Sequence, residues 1–217
     1  MLDAVSQDAL PRLRGVIHAY AFFVAVAAAV TLIVLADGGR ERVAAIVYGV
    51  GLCGLFGVSG TYHRWRWDPR HKATLQRVDH SMIFVFIAAS YTPIALLVLT
   101  TPMRWIVFGS VWGGAVAGVV FSLGWIDAPR SWIAAAYVAL GWVAIVAAPQ
   151  LLDHLGAVPA LLLLAGGVLY SIGAVIYARQ RPDPWPATFG FHEVFHTLVT
   201  AAALVHLAVM AFWVFDG

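Results

Sequence analysis

The chain has 217 residues, 62% of them hydrophobic and 11% charged, with a formal net charge of +2. An ordinary soluble domain is about 45–50% apolar and about 25% charged, so a water-soluble globular fold is excluded. The basic residues are spread along apolar borders and form no stripe with interleaved aromatics, which excludes nucleic acid as a partner.

Seven stretches of 20 to 25 residues contain no Asp, Glu, Lys or Arg and total 157 residues, so all 24 charged residues fall in the other 60 positions. About 20 helical residues at about 1.5 Å rise cross a hydrocarbon core of about 30 Å. The chain is therefore read as an all-α membrane protein, a single integral membrane domain built as a seven-transmembrane-helix bundle. A transmembrane β-barrel would show segments of about 10 residues alternating apolar and polar, and none occurs.

The first span, 15–36, outruns the 7–15 apolar residues of a signal peptide and is expected to stay in the mature protein; it carries His18. The second, 43–63, contains the single cysteine, Cys53, which reads as a small buried hydrophobe, followed by Ser59 and His63. A basic connection with His71 leads to the third span, 79–100, which opens on Asp79 and His80 and contains Pro93. The fourth and fifth spans, 104–126 and 131–150, carry no charge after Arg104, with Pro149 expected to kink or terminate the fifth and His154 placed in the following loop. The sixth, 157–178, shares with the fourth a set of small residues (Gly113, Gly114, Gly118, Gly166, Gly167, Gly173) that allow close helix contact, within the chain or between subunits. A proline-rich connection, Arg181-Pro-Asp-Pro-Trp-Pro, precedes the last span, 192–214, which holds His192, Glu193, His196 and His206.

Alternate connections differ in basic residues: ten lie on the side of the N-terminus and three on the other. Excess Lys and Arg mark cytoplasmic loops, so the N-terminus is expected to be cytoplasmic and the C-terminus outside, in a multi-pass protein of the cell membrane. Most of the tryptophans lie near span ends (Trp65, Trp67, Trp105, Trp125, Trp132, Trp185, Trp213), as in an interfacial belt.

Ionisable groups are costly inside a bilayer, and here they converge on one end of the bundle. Ser59 and His63 are four residues apart and share a helix face, as do His192 and His196. Two histidines at i and i+4, with one further ligand and an open position for water, describe a catalytic zinc site; His63 is taken as the third ligand. His192-Glu-Val-Phe-His196 also fits the H-E-x-x-H pattern of zinc peptidases, in which Glu193 would be the general base and Asp79 a third ligand. Without chemistry, Glu193 is a first-turn acid at the positive end of a helix. His80 does not share a face with Asp79, His206 reads as an interhelical hydrogen bonder, and His71 and His154 read as solvated residues.

Ser59-Gly-Thr-Tyr-His63, Arg77-Val-Asp79-His80-Ser-Met-Ile, Ala89-Ser-Tyr-Thr-Pro93 and Pro182-Asp-Pro-Trp-Pro-Ala-Thr-Phe-Gly-Phe-His192-Glu-Val-Phe-His196 resemble the family that joins bacterial hemolysin III proteins to the progestin and adipoQ receptors, including the adiponectin receptors. The likeness runs over about 12–212 and is strongest to the hemolysin III branch. It implies a seven-helix bundle with its N-terminus inside and a Zn2+ cofactor held by His63, His192 and His196, with Asp79 and Ser59 close by. It does not include Glu193 in the metal motif. Many members carry Glu, Asn and Ser/Thr before the first-span histidine, where this chain has Pro11, Arg14 and Ile17, which leaves His18 as a residue behind the ligands.

The function expected from these readings is a zinc-dependent hydrolase of a lipid amide or ester, with Asp79 as the catalytic base and Ser59 orienting water or the substrate carbonyl. A membrane lipid is then the substrate or ligand, and ceramidase-like activity has been proposed for relatives. The alternative is a non-catalytic, zinc-stapled membrane protein with a receptor-like, homeostatic or cytolytic role. A retinal protein is excluded because the only lysine, Lys72, lies in a connection. A transporter would string ionisable groups across the bilayer, and these cluster at one end.

Overall fold

The computed structural model describes residues 11–125 and 127–215, and among them it holds seven helical spans and no β-sheet. The chain forms α1 (Val16–Leu35), α2 (Gly39–Arg64), α3 (Pro69–Pro93), α4 (Met103–Gly124), α5 (Arg130–Gly141), α6 (Ala148–Leu155), α7 (Ala157–Arg179) and α8 (Phe191–Val209). Helices are forced on these segments because no water in the bilayer core can satisfy an open backbone N–H or C=O. With seven spans long and apolar enough to cross a membrane, the chain is a multi-pass integral membrane protein.

The sequential pairs α1–α2, α2–α3, α3–α4 and α7–α8 pack most extensively, α5 lies against α7, and α8 returns to α1. The third span is the axis of the bundle: Phe84, Phe86, Ala88, Ala89 and Thr92 are all buried. The outer faces of α1 and α7 carry Tyr20, Phe23, Val34, Leu161 and Val175 exposed to the surroundings, as lipid-facing surfaces should.

The helix limits differ from the apolar stretches in several places, most at the start of the third span and the end of the fifth. The third span begins at Pro69 and not at 79, because Asp68 caps the helix: its Oδ1 accepts from the Arg70 and His71 amides at 3.1 and 3.2 Å, and Pro69 supplies a favourable first residue. His71 is therefore in a helical first turn, its ring engaged with the Asp68 carboxylate, and these hydrogen bonds hold Asp68 below the ordinary carboxylate range. The fifth span runs from Arg130 to Leu155, past the expected end at 150, so His154 lies in the last turn of α6, with Nδ1 2.9 Å from the Gln150 carbonyl. The fourth span's helix ends at Gly124, and the expected last residue, Ile126, lies outside the described residues.

Both prolines change helix winding where they remove a backbone donor. After Pro93 the chain continues as a π turn, Ile94–Val98. Ahead of Pro149 the fifth span tightens to a 3-10 segment, Trp142–Ala147. The groups freed at that transition are met by Tyr91 of α3, whose hydroxyl donates to the Gly141 carbonyl and accepts from the Ala144 amide at 2.8 Å.

The small residues of α4 and α7 act inside the chain. A Cβ at Gly118 would meet the Phe84 ring, at Gly114 the Leu140 side chain, at Gly166 the His206 ring and at Gly173 Phe195, whereas Gly113 and Gly167 face open space.

Candidate metal centre

The site forms where α2 ends and α8 begins. His63 is in the last turn of α2, and His192 and His196 occupy the first two turns of α8. Their separation by four residues places both imidazoles on one helix face, and the face looks at His63. His63 Nε2 lies 3.1 Å from His192 Nε2. One ring nitrogen from each of the three histidines lies within 4.8 Å of the others.

This donor set fits a metal ion. Ring nitrogens whose lone pairs converge repel one another unless a proton or a cation lies between them, and neutral imidazole is a common ligand for zinc, copper, iron and nickel. The three histidines expected from spacing are thus brought together.

The surrounding groups are ordered. Asp79, buried on α3, has Oδ2 3.7 Å from His63 Nε2. Ser59, also buried, is 2.8 Å from His18 Nδ1 through its hydroxyl. His18 in turn stacks face to face on His196, with centroids 3.7 Å apart and planes within 9°. Both expected catalytic residues therefore border the cluster, Asp79 against His63 and Ser59 through His18. His80 turns away: its carbonyl accepts from Tyr137 at 2.9 Å, and its ring faces the Tyr177 hydroxyl at 3.5 Å. His206 donates through Nε2 to the Leu163 carbonyl at 3.0 Å, the interhelical bond expected of it.

Glu193 is 1% exposed. Its Oε2 accepts from the Gly190 amide at 2.8 Å, closing the helix start, and its Oε1 pairs with Arg14 Nε at 2.7 Å. One oxygen thus closes the helix start and the other is ion-paired with Arg14, whereas the peptidase pattern would use Glu193 as the general base. Burial pulls the Arg14 guanidinium below its ordinary value and Glu193 acts in the opposite sense. In the sequence Arg14 counts among the ten basic residues on the N-terminal side and departs from the family pattern before His18. The signal available was a cation four residues before His18 at a span border, a position that demands a partner.

A cavity of about 740 Å³ opens from this cluster into the bundle. Its lining runs along α3 and the π turn that follows, from Asp79 to Leu99, about 30 Å of chain at helical rise. Away from the histidines the lining is mainly apolar, with Ser90, Tyr170, Ser171 and His206 among its polar side chains. Two lining residues, Ile145 of the fifth span and Leu161 of α7, are also 63% and 61% exposed.

The comparisons with known proteins agree with this architecture. The sequence profile described as "Haemolysin-III related" matches residues 8–207. "Hemolysin-3" of Bacillus cereus is 30% identical over 207 residues, covering 93% of this chain and 90% of that protein. "Hemolysin-3 homolog" of Bacillus subtilis (strain 168) is 27% identical, with 92% of each chain covered. The human "Monocyte to macrophage differentiation factor" is 28% identical over 197 residues, 87% of this chain and 78% of that protein.

Proposed function

We propose that this chain, which belongs to the Haemolysin-III related family, is a membrane hydrolase in which His63, His192 and His196 hold a zinc ion and the substrate is a lipid amide or ester. The observation that carries the reading is a polar cluster with a carboxylate at the end of a long apolar cavity. A zinc ion supplies Lewis acidity towards a carbonyl and towards water.

The residues of the chain divide the remaining work. The apolar walls receive an acyl chain, entering sideways past Ile145 and Leu161, and so bring its polar end to the histidines. Asp79 holds its carboxylate beside His63, where Oδ2 accepts a proton from water and returns it to the leaving group. Ser59 fixes the ring of His18, and the stacked His18 keeps His196 from rotating. With the excess of basic residues on the same face, the positive-inside rule places the reaction on the cytoplasmic side. The cell membrane supplies both the location and the substrate.

The rival is a closed, structural site. Structural zinc is held by four protein ligands, while a catalytic ion keeps a position open. The mutually close ligand atoms number three among the described residues, which favours the catalytic reading. The test is hydrolysis of ceramides and acyl esters by the purified protein in lipid nanodiscs. Chelation and His192→Ala are expected to abolish turnover, and Asp79→Asn to retain metal while losing about 10²–10⁴-fold in rate. Turnover that survives both chelation and His192→Ala contradicts the proposal.

A further inference from the structure

The segment that precedes α1 is bound to the segment that precedes α8. The Arg12 amide donates to the Ala187 carbonyl and the Leu13 amide to the Thr188 carbonyl, each at 3.1 Å. The chain then turns into α1 at Gly15, whose φ of 74° is in the left-handed region. The turn lies directly on a ligand: a Cβ at Gly15 would come within 2.8 Å of His63 Cβ. From this strap Arg14 reaches Glu193 at 2.7 Å, and Glu193 sits between the two histidines of α8.

We propose that Arg14 is a positioning residue of the metal centre: through its ion pair with Glu193 it holds the first turn of α8 so that His192 and His196 face His63. The inference rests on the reading that these three histidines hold a metal. His192 is the second residue of α8, in the turn where helices fray first. A metal tolerates ligand displacements of only about 0.2 Å, so a frayed first turn loses the site. Glu193 resists fraying twice, by accepting the Gly190 amide with one oxygen and by tying the turn to Arg14 with the other. The strap's two backbone bonds to residues 187 and 188 fix where Arg14 stands. The same strap touches His63 through Gly15, so one segment sets the relation between the ligand of α2 and the pair of α8. Groups that orient ligands without touching the metal typically contribute about 10–100-fold in affinity.

The test uses the full-length protein in nanodiscs, stripped of metal and titrated with Co(II), whose visible bands report ligand geometry, and then with zinc in competition. Glu193→Gln keeps an oxygen for the Gly190 amide, removes the charge and turns a donor NH2 toward Arg14. It is expected to weaken binding about 10–100-fold and to alter the Co(II) bands. Arg14→Met is expected to do the same, with Arg14→Lys recovering part of the loss. The double variant R14M/E193Q should be no weaker than the weaker single variant, because both remove one interaction. Should Arg14→Met fail to fold with its buried carboxylate unpaired, Glu193→Gln and the double variant carry the test. Arg70→Gln, on an exposed turn, serves as the charge control. Unchanged affinity and unchanged Co(II) bands in Glu193→Gln and the double variant, with only a lower Tm, overturn the inference. A wild-type chain that binds no metal overturns the reading beneath it as well.

Discussion

Gly15→Ala puts a single methyl group against the metal centre, and its cost can be worked from geometry. The left-handed backbone at Gly15 costs a residue with a Cβ about 1–2 kcal/mol. The new Cβ would also lie 2.8 Å from His63 Cβ, 3.1 Å from His63 C and 3.2 Å from Arg64 N. Two of these three atoms are backbone, so no rotamer change relieves the overlap, and overpacking of this kind costs about 1–3 kcal/mol. The sum is about 2–5 kcal/mol; at about 2–4 °C per kcal/mol for a chain of this size, Tm falls by at least about 4 °C. Thermal unfolding in nanodiscs measures it. Gly109→Ala, an exposed helical glycine with no neighbour within 4 Å of a new Cβ, is the matched comparison and should be neutral or stabilising by up to about 1 kcal/mol. Gly15→Ala should also weaken metal binding, because two of the three overlapped atoms belong to His63. A Gly15→Ala protein as stable as the wild type, with undiminished metal affinity, refutes the reasoning.

Two further substitutions probe the interior of the bundle. Tyr91→Phe removes the hydroxyl that serves both the Gly141 carbonyl and the Ala144 amide; both bonds are part-buried, and a net hydrogen bond is worth about 0.5–1.5 kcal/mol, so unfolding should move down accordingly and hydrogen exchange should quicken over 141–147. Gly166→Ala drives a methyl into the His206 ring and is expected to destabilise by about 1–3 kcal/mol. In a His206→Ala background that penalty should largely vanish, which a double-mutant cycle on thermal unfolding checks.

The seven spans were legible because each is a charge-free stretch long enough to cross a bilayer, and the histidine centre because an i, i+4 pair leaves two imidazoles on one face. Span ends were less legible: Asp68 starts α3 well before the apolar run, by capping a turn that still carries Arg70 and Lys72. The change of winding in the fifth span depends on Tyr91, which lies 50 residues from Gly141 in the chain, so no local pattern announces it. Arg14 and Glu193 form one contact from opposite ends of the sequence. Glu193 read alone is an ordinary first-turn acid, and its burial and pairing emerge only when the strap before α1 meets the loop before α8.

The central claim is that His63, His192 and His196 together hold one metal ion. The direct measurement is elemental analysis of the purified protein with X-ray absorption at the zinc edge, on wild type and on each histidine-to-alanine variant. One zinc per chain bound through nitrogen and oxygen donors, and lost in all three variants, is the predicted result. A wild-type protein without metal, or metal retained when His63, His192 or His196 is replaced, contradicts it.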